Sequence, residues 1–159
     1  MRGIEKESLR ADPAGMLAQT DHPAAFGSAL CHPSITTDFS EALLEFITPV
    51  SASIDETLAE LDAIHRFANS ELKDEIIWNA SMPCRLGKGD EAIPVARYGS
   101  SNTATMKTRY RLGLGHRYGR KMQTIAGIHY NFSLPKSLWA ELHAADGSEL
   151  LLETYITNS

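Results

Sequence analysis

Cysteine is scarce in this chain: Cys31 and Cys84 are the only two among 159 residues, far apart and at no zinc-binding spacing. A disulfide-stapled or zinc-clustered domain is therefore not expected, and free thiols in a reducing cytoplasm are. Long hydrophobic runs are also missing, since none approaches the roughly 18 residues that a membrane-spanning helix needs. The opening MRGIEKESLR lacks the apolar core of a secretory signal, so a cytoplasmic protein with no membrane partner is expected. Aromatic residues are sparse among the basic residues of 92–140, which argues against a nucleic-acid binder that stacks bases. The absence that matters most is of one charge: residues 92–140 contain no Asp or Glu at all.

What is present is the composition of a globular protein of about one domain, 43% hydrophobic and 22% charged. The net charge of −5 hides a segregation. Residues 1–91 carry sixteen acids against seven Lys/Arg, residues 92–140 carry eight Lys/Arg, and the last nineteen residues carry four acids and no base. One region set up to collect cations and another to collect anions would suit magnesium and a polyphosphate. Two oppositely charged solvated faces are the plainer alternative.

Along the chain, IEKESLRA reads as a strand, ended by a turn at Asp12-Pro13-Ala14-Gly15. Asp38-Phe39-Ser40-Glu41 has the form of a capping box, and Leu43 to Thr48 alternates as a strand stopped by Pro49. The two readings compete, and a brief helical turn followed by a strand is favoured. Ile54, Leu58, Leu61, Ile64, Phe67 and Ala68 follow Ser53 at helical spacing. IIWNASM is expected as a strand and 85–92 as a polar turn. Asn102 to Arg120 is expected as a basic helix weakened by its glycines. Residues 122–134 are expected as a strand with a bulge at Gly127, 136–144 as a helix, and 149–157 as helix or strand. Strands separated by helices of unequal length, without regular βαβ alternation, predict an α+β fold with a mostly antiparallel sheet.

The candidate chemistry lies in acids set among apolar residues. Glu5 and Glu7 are two apart on a strand and so share a face, although such a pair often marks a wet face. Asp38 alone would serve as a helix cap. Glu45 interrupts Leu43, Leu44, Phe46 and Ile47, where a solvated strand face would expose too much apolar bulk. Carboxylates buried together need a cation, and a hard divalent ion such as Mg²⁺ is what oxygen clusters hold. His129 alternates with Asn131 and is either a core histidine or the completion of such a site. The hydroxyl-rich RYGSSNT and the basic residues Lys107, Arg109, Arg111, Arg117, Arg120 and Lys121 are candidates for meeting an anion, with solvation as the alternative. GLGHRYG misses the dinucleotide fingerprint and lies within the helical segment.

RGIEKESLR, ITTDFSEALLEFITPV, SMPC, YGSSNT and GIHYNFSLP together closely resemble blocks of the bacterial glutamate–cysteine ligase (γ-glutamylcysteine synthetase) family, in that family's order and spacing. The resemblance implies ATP-dependent joining of the γ-carboxylate of L-glutamate to the amine of L-cysteine, the first step of glutathione biosynthesis. It also implies a glutamine-synthetase-like fold whose curved antiparallel sheet forms a funnel with Mg²⁺, or alternatively Mn²⁺, at its base. By position it makes Glu5, Glu7, Asp38, Glu45 and His129 metal ligands and sets Phe39 and Tyr110 near the cysteine pocket. It covers only the N-terminal portion of the longer family members. Residues 1–159 are thus expected to be the N-terminal part of the catalytic domain, truncated after Thr157-Asn158-Ser159, with the missing C-terminal portion as a partner. The alternative is a non-catalytic fragment or a metal–nucleotide-binding module.

Overall fold

The strand β1, Arg2–Ala11, organises the structure, a computed structural model that describes residues 1–135 together with Ser137, Leu138 and Glu141. One edge of β1 pairs with β3, Leu43–Ile47, and β3 pairs in turn with β2, Ile35–Thr37. The other edge pairs near its C-terminal end with β4, Ile76–Trp78, and near its N-terminal end with β5, Ile128–Phe132. These four strand pairings are antiparallel, and among the described residues two long helices accompany the open sheet, so the α+β expectation holds. The expected helix over 136–144 falls mostly, and the segment 149–157 wholly, outside the described residues.

The turn after β1 forms as its residues dictate. Asp12 Oδ1 accepts from the N–H groups of Ala14 and Met16 at 2.9 and 2.8 Å, and Gly15 takes the positive φ of 76°. The helical turn expected at Asp38–Glu41 does not form. The segment is instead the tight reversal of the β2–β3 hairpin, closed by Asp38 N–H to Leu43 O at 3.0 Å and Leu43 N–H to Ser40 O at 2.9 Å. The physical reason is the Glu41 carboxylate. In a capping box it would fold back on its own backbone, but here it is buried and accepts from the N–H groups of His22 (3.0 Å) and Arg97 (2.7 Å).

The helix α1, Ile54–Glu71, starts where expected, with Ser53 Oγ accepting from Glu56 N–H and Asp55 and Glu56 in the first turn. Its buried Ile64 and Ala68 pack on Ile35, Leu44, Phe46 and Ile77 from one face of the sheet. Ile54, Leu58 and Phe67 of the same helical pattern remain exposed. The expected strand over IIWNASM stops at Trp78, whose indole N–H turns to Met82 O. The strand expected over 122–134 is shorter too. Residues 121–124 form a 3₁₀ turn, although Glu7 N–H bonds Gly127 O at 3.0 Å and so extends the β1–β5 ladder by one step. Ile128, Tyr130 and Phe132, opposite Lys6, Ile4 and Arg2, are all exposed.

The helix α2, Asn102–Tyr118, runs unbroken through the glycines expected to weaken it. Gly115 has a packing reason: a Cβ there would lie 3.1 Å from Phe39 Cζ, so its absence lets α2 approach the sheet. Gly113 faces open space. Gly113→Ala is expected to stabilise the chain by roughly 0.5–1 kcal/mol, the helix-interior cost of glycine. Gly115→Val should destabilise it by about 1–3 kcal/mol through overpacking. Urea denaturation of the two variants beside the parent checks both signs.

Candidate metal centre

Strand periodicity decides which side chains meet. Residues directly opposite across a ladder share a face, and Glu7 lies opposite Glu45 while Glu5 lies between Ile47 and His129. Two residues on, Leu9 lies between Leu43 and Trp78 in a buried cluster with Phe39 and Ile93. One end of this face is therefore core and the other is acidic. Lys6 and Ser8 point the opposite way, the side on which Phe46 and Leu44 meet α1.

Glu5, Glu45 and His129 each offer one ligand atom, and the three atoms lie within 4.8 Å of one another. Opposite ligands of a Mg²⁺ ion with bonds of 2.0–2.1 Å are roughly 4 Å apart, so a small inward adjustment closes this group around a hard divalent cation. The single imidazole also suits Mn²⁺. Glu5 is oriented from β5: Asn131 Nδ2 donates to its Oε1 at 2.9 Å, and His129 Nδ1 lies 3.3 Å from its Oε2. The alternation of His129 with Asn131 thus brings both onto one carboxylate. Glu7 is outside the tight group, because its Oε2 accepts from Gly127 N–H at 2.7 Å.

Asp38 also flanks the group rather than joining it. It sits just past β2, and its carboxylate is half-exposed with Oδ1 3.8 Å from Arg111 of α2. Phe39 is 1% exposed against Gly115, so its side chain offers no surface to a ligand, contrary to the expectation of a pocket-lining aromatic. An apolar ring next to the hairpin reversal is drawn into the cluster of Leu9, Leu43 and Ile93. Tyr110, by contrast, is 65% exposed on α2. Sequence reasoning passed over Thr36, the cross-strand neighbour of Glu45, because three residues are too few to show a strand period. Tyr98, part of the RYGSSNT segment expected to meet an anion, instead turns its hydroxyl to the backbone of Thr37 and Asp38.

The electrostatics follow from the crowding. Burial, then the charges of Asp38, Glu5 and Glu7, push Glu45 up from 4.5 to about 7, with His129 opposing. Burial raises Glu7 as well, against the pull of the Gly127 hydrogen bond. A carboxyl with a raised folded-state pKa contributes its stability at low pH, because above its ordinary pKa the unfolded chain releases the proton first. Metal-free stability should therefore fall as pH climbs from about 4.5 to about 7. Glu45→Gln should remove most of that fall and leave the variant more stable above pH 7 by on the order of 1–2 kcal/mol, after allowance for solvent screening of a half-exposed group. Chemical denaturation in chelator at several pH values reads the slope directly.

The glutamate–cysteine ligase family model matches residues 1–159. Glutamate–cysteine ligase of Saccharophagus degradans is 60% identical over 98% of this chain, covering 29% of that protein. The enzyme of Alcanivorax borkumensis is 59% identical over 98% of the chain and 30% of its own length. Among solved structures, glutamate–cysteine ligase of Francisella tularensis in complex with AMP superposes with a TM-score of 0.87 at 46% identity, covering 93% of this chain and 30% of that one. A bifunctional glutathione synthetase from Pasteurella multocida gives 0.83 at 37% identity, over 94% of this chain and 19% of that one. The chain thus spans under a third of the length of these relatives, and it belongs to the glutamate–cysteine ligase family.

Proposed function

We propose that residues 1–159 form the N-terminal part of a glutamate–cysteine ligase catalytic domain and supply the metal-binding side of its site. The reaction is ATP-dependent ligation of L-glutamate to L-cysteine. The γ-phosphoryl group of ATP passes to the glutamate γ-carboxylate, and the cysteine amine then displaces phosphate from the acyl phosphate. The observation that carries the reading is the convergence of Glu5, Glu45 and His129 within 4.8 Å on a half-buried sheet face, in a chain of this family.

In this reading Glu5, Glu45 and His129 hold the divalent cation, and Glu7 and Asp38 flank it with further negative charge. A divalent cation held by these residues would supply charge neutralisation for phosphate oxygens during phosphoryl transfer. The carboxylates act as ligands and need not carry protons. The Asn131 donor and the Gly127 N–H keep Glu5 and Glu7 oriented. Tyr110 is the exposed aromatic available to the cysteine side, while Phe39 supports α2 from below. The remaining substrate and phosphate contacts belong to the larger part of the family's length, the partner this chain would need for turnover. The setting is cytoplasmic, and among the described residues no helix is long and apolar enough to cross a membrane.

The second reading, a metal–nucleotide-binding module without catalysis, is favoured by the same shortness of the chain relative to its family. Two measurements separate the possibilities. Mg²⁺ or Mn²⁺ should stabilise the chain by binding the native state, by about 2.7 kcal/mol at a hundredfold excess over the dissociation constant and visible as a higher melting temperature, and Glu45→Gln should abolish most of that gain. An unchanged metal-induced shift in Glu45→Gln removes it from the site. When the chain is combined with the complementary portion of a full-length relative, ADP release should require both amino acids. ADP release indifferent to glutamate and cysteine rejects the ligase reading.

A further inference from the structure

Asp38 lies one residue beyond β2, where strand pairing no longer sets the direction of its side chain. Its N–H still bonds Leu43 O across the hairpin, but its carbonyl is held by groups outside the sheet. The Tyr98 hydroxyl donates at 2.6 Å to Thr37 O and is 3.0 Å from Asp38 O, and Arg111 Nε donates to the same Asp38 oxygen. Tyr98 is itself 7% exposed. Its ring lies 4.8 Å below the Arg111 guanidinium and 5.2 Å from the Lys107 ammonium, a stacked arrangement that orients both cations. The segment leading into Tyr98 is fastened to the hairpin as well, through Ala96 N–H to Phe39 O at 2.9 Å and Ser40 Oγ to Pro94 O at 2.9 Å. α2 is joined to the same segment by Thr108 Oγ to Ala96 O.

We infer that Tyr98 and Arg111 form a positioning clamp on Asp38, fixing the backbone of this acid at the flank of the Glu5–Glu45–His129 group, with its carboxylate 3.8 Å from Arg111. The inference rests on the proposed divalent-cation site and adds to it a device carried by the middle of α2 and the segment before that helix. The clamp works through the backbone. A tyrosine hydroxyl on Thr37 O and a guanidinium N–H on Asp38 O hold the carbonyls on either side of the residue and restrict rotation of the Asp38 backbone. Partners that orient a metal-site residue commonly govern metal affinity by 10- to 100-fold without touching the ion.

The test is a double-mutant cycle on the full 159-residue chain, read as Mn²⁺ affinity from the loss of the free-ion signal in electron paramagnetic resonance. Tyr98→Phe keeps the ring and its stacked cations and removes only the hydroxyl. It should weaken Mn²⁺ binding by about tenfold, with a smaller change in the metal-free melting temperature than Gly115→Val produces. Asp38→Asn should weaken binding at least as much, and Tyr98→Phe added to it should cost nothing more. Arg111→Lys, which keeps the charge but loses the Nε donor, should behave in the same way and serves if Tyr98→Phe folds poorly. Losses that add in full show that the clamp acts elsewhere and overturn the inference. An Asp38→Asn variant that binds Mn²⁺ as the parent does overturns it too, while leaving Glu5, Glu45 and His129 as the site. Failure of the parent chain to bind Mn²⁺ overturns the proposed metal site itself, and the inference with it.

Discussion

The period-two alternation of β1 is the constraint on which the rest of the structure depends. This strand pairs with β3, β4 and β5, so its register sets that of most of the sheet. Its two faces do different things. Lys6 and Ser8 lie on the side where Phe46 and Leu44 pack under α1, and Glu5 and Glu7 lie on the side that collects Glu45 and His129. A slip of one residue would carry the carboxylates into the core beneath α1 and bring Lys6 to the proposed cation site. Burial of Leu9 and Ala11 at the far end of the acidic face holds the register against such a slip.

The acidic face is costly in isolation, and the neighbouring elements share the cost. β5 brings Asn131 and His129 to Glu5, the Gly127 backbone caps Glu7, and α2 sets Arg111 against Asp38. Glu45 is pushed up to about 7, first by its burial and then by the surrounding carboxylates Asp38, Glu5 and Glu7. Preorganised like charges of this kind weigh against the native state on their own and favour it once a cation is bound. The charge segregation along the chain thus has a local meaning: α2, which has no acid in its first turn, lies against an edge of the acidic site.

The surface carries a second kind of unfinished business. Ile54, Leu58 and Phe67 of α1 and Ile128, Tyr130 and Phe132 of β5 are exposed, although helical and strand periodicity mark them as residues that pack. A chain spanning under a third of its relatives' length is expected to show apolar surface of this sort. The bare strip on β5 lies on the α1 side of the sheet, away from the carboxylates. Packing against that strip and the metal binding proposed for the other face are therefore physically separate.

The sequence by itself determined the local pieces: β1 and its turn, α1 from its Ser53 cap, α2, and the shared face of Glu5 and Glu7. These depend on periods, caps and turn residues acting over a few positions, and the long family-like blocks carried the identity of the acids with them. Tertiary structure decided the rest. Glu41 left its expected capping role because His22 and Arg97 approach it from loops remote in sequence. Phe39 became core rather than pocket because Gly115 lets α2 close over it. Glu45 faces Glu7, and His129 faces Glu5, only through the pairing of strands up to 124 residues apart. Register between distant strands is set by the summed burial of both faces, which no short window of sequence contains.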